Sequence, residues 1–142
     1  MKSIPIDQIK AGDQVAMRRA FSAQDVDAFA RVTGDMNPAH LDEAYAAGTM
    51  FKTRIVHGML VASLFSALLG TQLPGLGTIY TAQTLKFLRP VRLDEVVTAQ
   101  LTVKEINHDR GRVVFDCQVT NDQGDLVVTG EATVLPPRKQ AE

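Results

Sequence analysis

The sequence predicts an α+β domain, a curved antiparallel sheet wrapped around one long buried helix. Three observations carry this. Helical periodicity in the front half gives way to strand-like patterning from about residue 78 onward. The stretch from about Val56 to Gly70 is apolar on nearly every side, the mark of a helix enclosed by protein. The back half divides into segments 78–89, 95–107, 112–121 and 125–135, rich in Val, Thr, Ile and Phe and separated by turn residues.

Taken in order, residues near Gln14 to Phe21 are expected to add a strand to the sheet. Ser22 followed by Asp25 resembles a capping box, with an acid in place of the usual Glu. Val26, Phe29, Ala30 and Thr33 recur at helical spacing, and Gly34 ends that helix. The polar run 34–42 reads as a loop, and Glu43 to Ala47 as a short helix closed by Gly48. The long helix carries Met59, Leu60, Val61, Leu64, Phe65, Leu68 and Leu69, and is expected to be buried all round. Val113, Phe115, Cys117 and Val119 alternate with Arg112, Asp116, Gln118 and Thr120, the pattern of a half-buried strand. Turns fall at Arg89-Pro90, Asp109-Arg110-Gly111 and Asn121-Asp122-Gln123-Gly124, so consecutive strands are expected to form an antiparallel meander. Pro136 to Gln140 has the composition of a frayed tail.

The chain has 142 residues, enough for one domain (1–142) with a genuine core. With 45% hydrophobic and 22% charged residues it has the composition of a soluble globular protein. Fifteen basic and sixteen acidic side chains give a net charge of −1, with no run of like charge that would mark a nucleic-acid partner. The N-terminal residues lack the apolar core of a secretory signal. The longest apolar stretch, Met59 to Leu69, is 11 residues, well short of the roughly 20 needed to cross a membrane. Cys117 is the only cysteine, so no intramolecular disulfide can form. A cytoplasmic enzyme or binding domain is the expectation.

Chemistry concentrates in Gly34-Asp35-Met36-Asn37-Pro38-Ala39-His40-Leu41-Asp42. Pro38 fixes its own φ and pushes Asn37 out of the helical region, so the run is stiff enough to hold a carboxylate and an imidazole at a set separation. Histidine can give or take a proton near neutrality. By itself the run also reads as an ordinary turn that caps the next helix. Ile55-Val56-His57-Gly58-Met59 leads into the buried helix, and the backbone N–H of Gly58 is placed to receive an oxyanion, or else Gly58 serves close packing. His57 reads as a structural hydrogen-bonding residue, with a catalytic role as the alternative. Ser66, two turns beyond Gly58, either faces the same site or bonds its own helix. A metal set of Asp35, His40, Asp42 and His57 lacks any recognised ligand spacing, and no Gly-x-Ser-x-Gly elbow is present. Gly75-Leu76-Gly77 precedes a strand and is no dinucleotide loop; His108 reads as exposed and Cys117 as core.

Together these motifs resemble the MaoC-like (R)-specific enoyl-CoA hydratases, a branch of the hot-dog fold. The matching runs are Gly34-Asp35-x-Asn37-Pro38-x-His40-x-Asp42, Ile55 to Leu60 and Ser63 to Gly70, in the same order over nearly the whole chain. The resemblance implies a hydro-lyase that adds water to trans-2-enoyl-CoA. Hydroxyl goes to C3 and a proton to the same face of C2, giving the (R)-3-hydroxyacyl thioester. It implies Asp35 and His40 as the catalytic pair, Gly58 as the N–H donor to the thioester oxygen, and Asn37 as the residue shaping their loop. Ser66 would help hold the aspartate or the water, and Leu69 and Val134 would line the acyl pocket. Which of Asp35 and His40 is acid and which base stays open, as do chain length and the choice between CoA and a carrier protein. No metal or cofactor is implied beyond the substrate's own coenzyme A. A homodimer is implied, serving fatty acid metabolism or polyhydroxyalkanoate precursor supply. Ala39 and Arg54 depart from the family's usual residues, and Arg54 is expected to alter the approach to the site. Three readings compete: an acyl thioesterase of the same fold, a carrier-protein-linked 3-hydroxyacyl dehydratase subunit, and a non-catalytic acyl-thioester-binding protein.

Overall fold

A computed structural model describes residues 1–138. A 3-10 turn at Ile6–Gln8 leads into strand β1 (Gln14–Arg19), followed by helices α1 (Ala23–Thr33), α2 (Pro38–Leu41), α3 (Glu43–Ala47) and α4 (Gly58–Thr71). The remaining strands are β2 (Ile79–Gln83), β3 (Lys86–Phe87), β4 (Val97–Asn107), β5 (Arg112–Asn121) and β6 (Leu126–Leu135). All pairings are antiparallel, in the order β1-β4-β5-β6-β2, with β3 also on β6. This is the expected α+β hot-dog arrangement. Its core joins α4 to the inner face of the sheet, including Phe65, Leu68, Leu101, Phe115 and Val119.

The helix signals are realised atom by atom. The Ser22 hydroxyl accepts the Asp25 N–H, the Asp25 carboxylate accepts the Ser22 N–H, and Gly34 closes α1 in the left-handed region at φ 82°. In β5, Val113, Phe115, Cys117 and Val119 are all buried, as the alternation requires. Their partners Ala99, Leu101 and Val103 on β4 are buried as well, and Ile106, opposite Val113, is half-buried.

Four expectations need correction. The meander covers only β4, β5 and β6; β4 turns to β1 for its second neighbour, and β2 crosses to β6. Segment 78–89 is two strands rather than one. Thr84 bends the chain over β6, where Gly130 leaves space: a Cβ there would lie 1.9 Å from the Thr84 carbonyl oxygen. Helix α4 is not enclosed on every side, since Met59, Ser63 and Ser66, at i, i+4 and i+7, share an exposed face. Ser63 and Ser66 were the polar signal of this face, and the apolar Met59 beside them masked it. In the tail, Pro136 is buried and Pro137 lies against Gly77; Lys139 and Gln140 fall outside the described residues.

Candidate active site

The site grows from the end of α1. With Gly34 in the left-handed region, the chain leaves the helix abruptly at Asp35. The Asp35 N–H donates to Thr33 Oγ1 at 3.1 Å, and Asp35 Oδ1 accepts the Asn37 N–H at 3.3 Å. Asn37 caps α2, its Oδ1 accepting the Ala39 N–H at 3.0 Å, with Pro38 in the first turn. The run expected to be all loop therefore contains a one-turn helix that fixes the direction of His40. Asn37 is exposed, and its side chain builds the turn rather than a wall of either hollow described below.

His40 Nδ1 lies 2.8 Å from the carbonyl oxygen of Ile55. A carbonyl only accepts, so Nδ1 carries the hydrogen and the lone pair of the neutral ring is on Nε2. The His40 ring stacks on His57, centroids 3.9 Å apart and planes 28° apart. His57 is buried, and its Nε2–H donates to the Asp35 backbone carbonyl at 3.1 Å. Burial pushes the His57 pKa below its ordinary value, against the opposing pull of Asp35. The 4.0 Å approach of its Nε2 to the Asp35 carboxylate is therefore a contact of a neutral ring and not an ion pair. Nδ1 of His57 is buried without a hydrogen-bond partner among the described residues.

Asp35, His40 and His57 each offer a ligand-type atom within 4.8 Å of the others. Asp42, the fourth residue of the discarded metal set, lies outside this group; its carboxylate caps α3 instead. The convergence of His57 with the other two is what sequence reasoning missed. It arises because the segment before α4 folds back beside the α1–α2 turn, a tertiary event with no local signal.

Gly58 opens α4, and its N–H has no acceptor among the described residues. A Cβ at Gly58 would lie 2.8 Å from the Phe87 ring, so the glycine leaves room for that ring against the start of the helix. Asp35, His40, His57 and Gly58 all line one hollow of about 530 Å³, whose other walls include Val56, Val91 and Phe87. A second hollow, of about 810 Å³, shares Asp35 and Met59 with the first and is walled by Ser63, Ser66, Tyr80 and Leu85. Ser66 thus meets Asp35 in a different hollow from Gly58. Its hydroxyl bonds neither Asp35 nor its own helix among the described residues, unlike those of Ser63 and Thr71. Tyr80 donates to Gln83, and burial pushes its phenol up to about 12, so it stays neutral there. Leu69 and Val134 are core residues, 1% and 0% exposed, and reach the wall of neither hollow. Cys117 is buried, its thiol pushed up to about 11, which leaves it no part as a nucleophile.

Residues 7–123 match the MaoC-like domain, and the chain belongs to that family. Among curated proteins it is 45% identical over 135 residues to an (R)-specific enoyl-CoA hydratase of Rhodospirillum rubrum, covering 94% of this chain and 92% of the relative. Among solved structures, an (R)-hydratase from Aeromonas caviae involved in PHA biosynthesis superposes with a TM-score of 0.89 at 45% identity, covering 91% of this chain and 98% of the other. An R-hydratase from Pseudomonas aeruginosa in the unliganded form gives a TM-score of 0.91 at 43% identity, covering 99% and 93%. No helix among the described residues is long and apolar enough to cross a membrane.

Proposed function

We propose that this protein is an (R)-specific enoyl-CoA hydratase that uses Asp35 and His40 as its acid–base pair. The observation that carries the reading is the convergence of Asp35, His40 and the free Gly58 N–H on one largely apolar hollow, in a chain 45% identical to an enzyme of that name. Polar atoms within 4.8 Å of one another can share a single water, since each makes a hydrogen bond of about 2.8 Å to it.

The tautomer of His40 supports giving it the first step. Its Nε2 lone pair takes a proton from the water, and the hydroxyl adds to C3 of the enoyl chain. The electron pair of the double bond moves through C2 onto the thioester oxygen. The Gly58 N–H, at the positive end of α4, stabilises that enolate oxygen; donors of this kind contribute about 3–4 kcal/mol. A proton then passes from the dyad to C2 on the face from which water arrived, and the thioester carbonyl re-forms. The Asp35 carboxylate holds the water's second hydrogen and orients it. One proton is taken and one returned, so the pair ends as it began, and no redox cofactor enters the balance. Ser66 serves this reading from the second hollow, where its unengaged hydroxyl can hold a water against Asp35.

The same reading carries a homodimer. Ile79, Tyr80, Phe87 and Leu88 are between 41% and 58% exposed along the β2–β3 edge, a dense run of large apolar side chains for a lone chain to leave in water.

The test is incubation with crotonyl-CoA while enoyl absorbance and free thiol are followed together. Loss of absorbance without thiol release is the expected result. Thiol release at a matching rate would make the protein a thioesterase, and binding without turnover would make it an acyl-thioester receptor.

A further inference from the structure

Arg54 lines neither hollow, and its guanidinium reaches the His40 turn. Its departure from the family's usual residue was expected to alter the approach to the site; its side-chain bonds run to the turn and to α1. Its Nε–H donates to the His40 backbone carbonyl at 2.6 Å, and its Nη2 pairs with Asp27 on α1 at 3.1 Å. The next residue, Ile55, grips the same turn twice more. Its N–H donates to the Ala39 carbonyl at 3.2 Å, and its carbonyl accepts the His40 ring Nδ1–H at 2.8 Å. The Arg54–Ile55 pair therefore holds His40 at its backbone and at its ring together. Glu43 fixes the pair from the other side, accepting the Thr53 hydroxyl at 2.7 Å and the Arg54 N–H at 3.2 Å.

We infer that Arg54 is a positioning residue that sets the ring orientation and tautomer of His40. Helix α2 is a single turn of four residues, too short to be rigid unaided. Its last carbonyls have no partner within the helix, and the carbonyl of His40 is one of them. Arg54 satisfies that carbonyl while its other arm ties α2 to α1. Without this tie the distance from Ile55 to the ring is no longer fixed, and the Nδ1–H bond that leaves Nε2 as a base loosens. The stabilising value of the Arg54–Asp27 pair is small, because Asp27 is more than half exposed. The consequence of losing Arg54 is therefore geometric and falls on turnover more than on melting.

The inference rests on the hydratase reading, so the test reads His40 directly as well as activity. Arg54→Met, which keeps the apolar stem, and Arg54→Lys, whose single ammonium cannot reproduce the fork, are compared with the wild type. Ring-nitrogen NMR of His40 is recorded on each, and kcat and KM for crotonyl-CoA are measured. The expected wild-type signal is the Nδ1–H tautomer. In Arg54→Met it shifts toward a mixture with Nε2–H, kcat falls on the order of tenfold at nearly constant KM, and Arg54→Lys lies between. Wild-type His40 signals in Arg54→Met would overturn the inference whether or not the protein hydrates anything; so would a change confined to KM. If Arg54→Met does not fold, Arg54→Lys decides, and wild-type nitrogen signals with wild-type kcat would overturn it. Absence of hydration in the wild type with the shifted tautomer in Arg54→Met would sink the hydratase reading and leave the brace standing.

Discussion

A buried imidazole with one nitrogen hydrogen-bonded to a carbonyl and the other unpartnered resists taking up a proton. That is the condition of His57, and it has a thermodynamic consequence. In the unfolded chain this side chain titrates near 6.5, and burial lowers the value in the folded state. Below the unfolded value the unfolded state therefore binds more protons, so this contribution to stability is complete above about pH 6.5 and is lost as pH falls. Melting temperature measured from about pH 8 to about pH 5.5 should fall for the wild type and fall less for His57→Gln. Equal slopes would show that His57 carries no such linkage. The same residue marks a boundary of what local sequence can say. Its structural role was readable from its place at a helix start. Its stacking on His40, 17 positions earlier in the chain, depends on how two distant segments meet.

At the scale of elements, legibility follows how local each cause is. The capping box of α1, the left-handed Gly34 and the inward alternation of β5 depend on residues a few positions apart, and all were readable. The helix over α4 was readable too, displaced by about two residues at its start. The open face of α4 was not, because Met59 is apolar yet 58% exposed where β2 leaves a hollow beside it. The split of β2 from β3 was hidden for a similar reason: its cause is Gly130, which lies 46 residues downstream of Thr84 and makes space for it. Helix α2 escaped notice because a single turn has no periodicity to detect. Its Asn37 cap and Pro38 were visible, and they were read as the stiffness of a loop.

For the whole molecule, the curved sheet holds α4 so that Gly58 starts beside the α1–α2 turn, and this brings 35, 40 and 58 to one hollow. The exposed apolar edge around Tyr80 and Phe87 belongs to the same scale. Light scattering is expected to give twice the chain's mass of 15.5 kDa, and a monomer at working concentration would contradict the dimer. The proposed chemistry depends on Asp35 and His40 carrying out the proton transfers. The direct measurement is kcat for crotonyl-CoA in Asp35→Asn and in His40→Ala, with melting temperature as the control for folding. Both variants are expected to fold and each to lose activity by a factor on the order of 10² or more. Near-wild-type kcat in either folded variant would contradict the assignment of the pair.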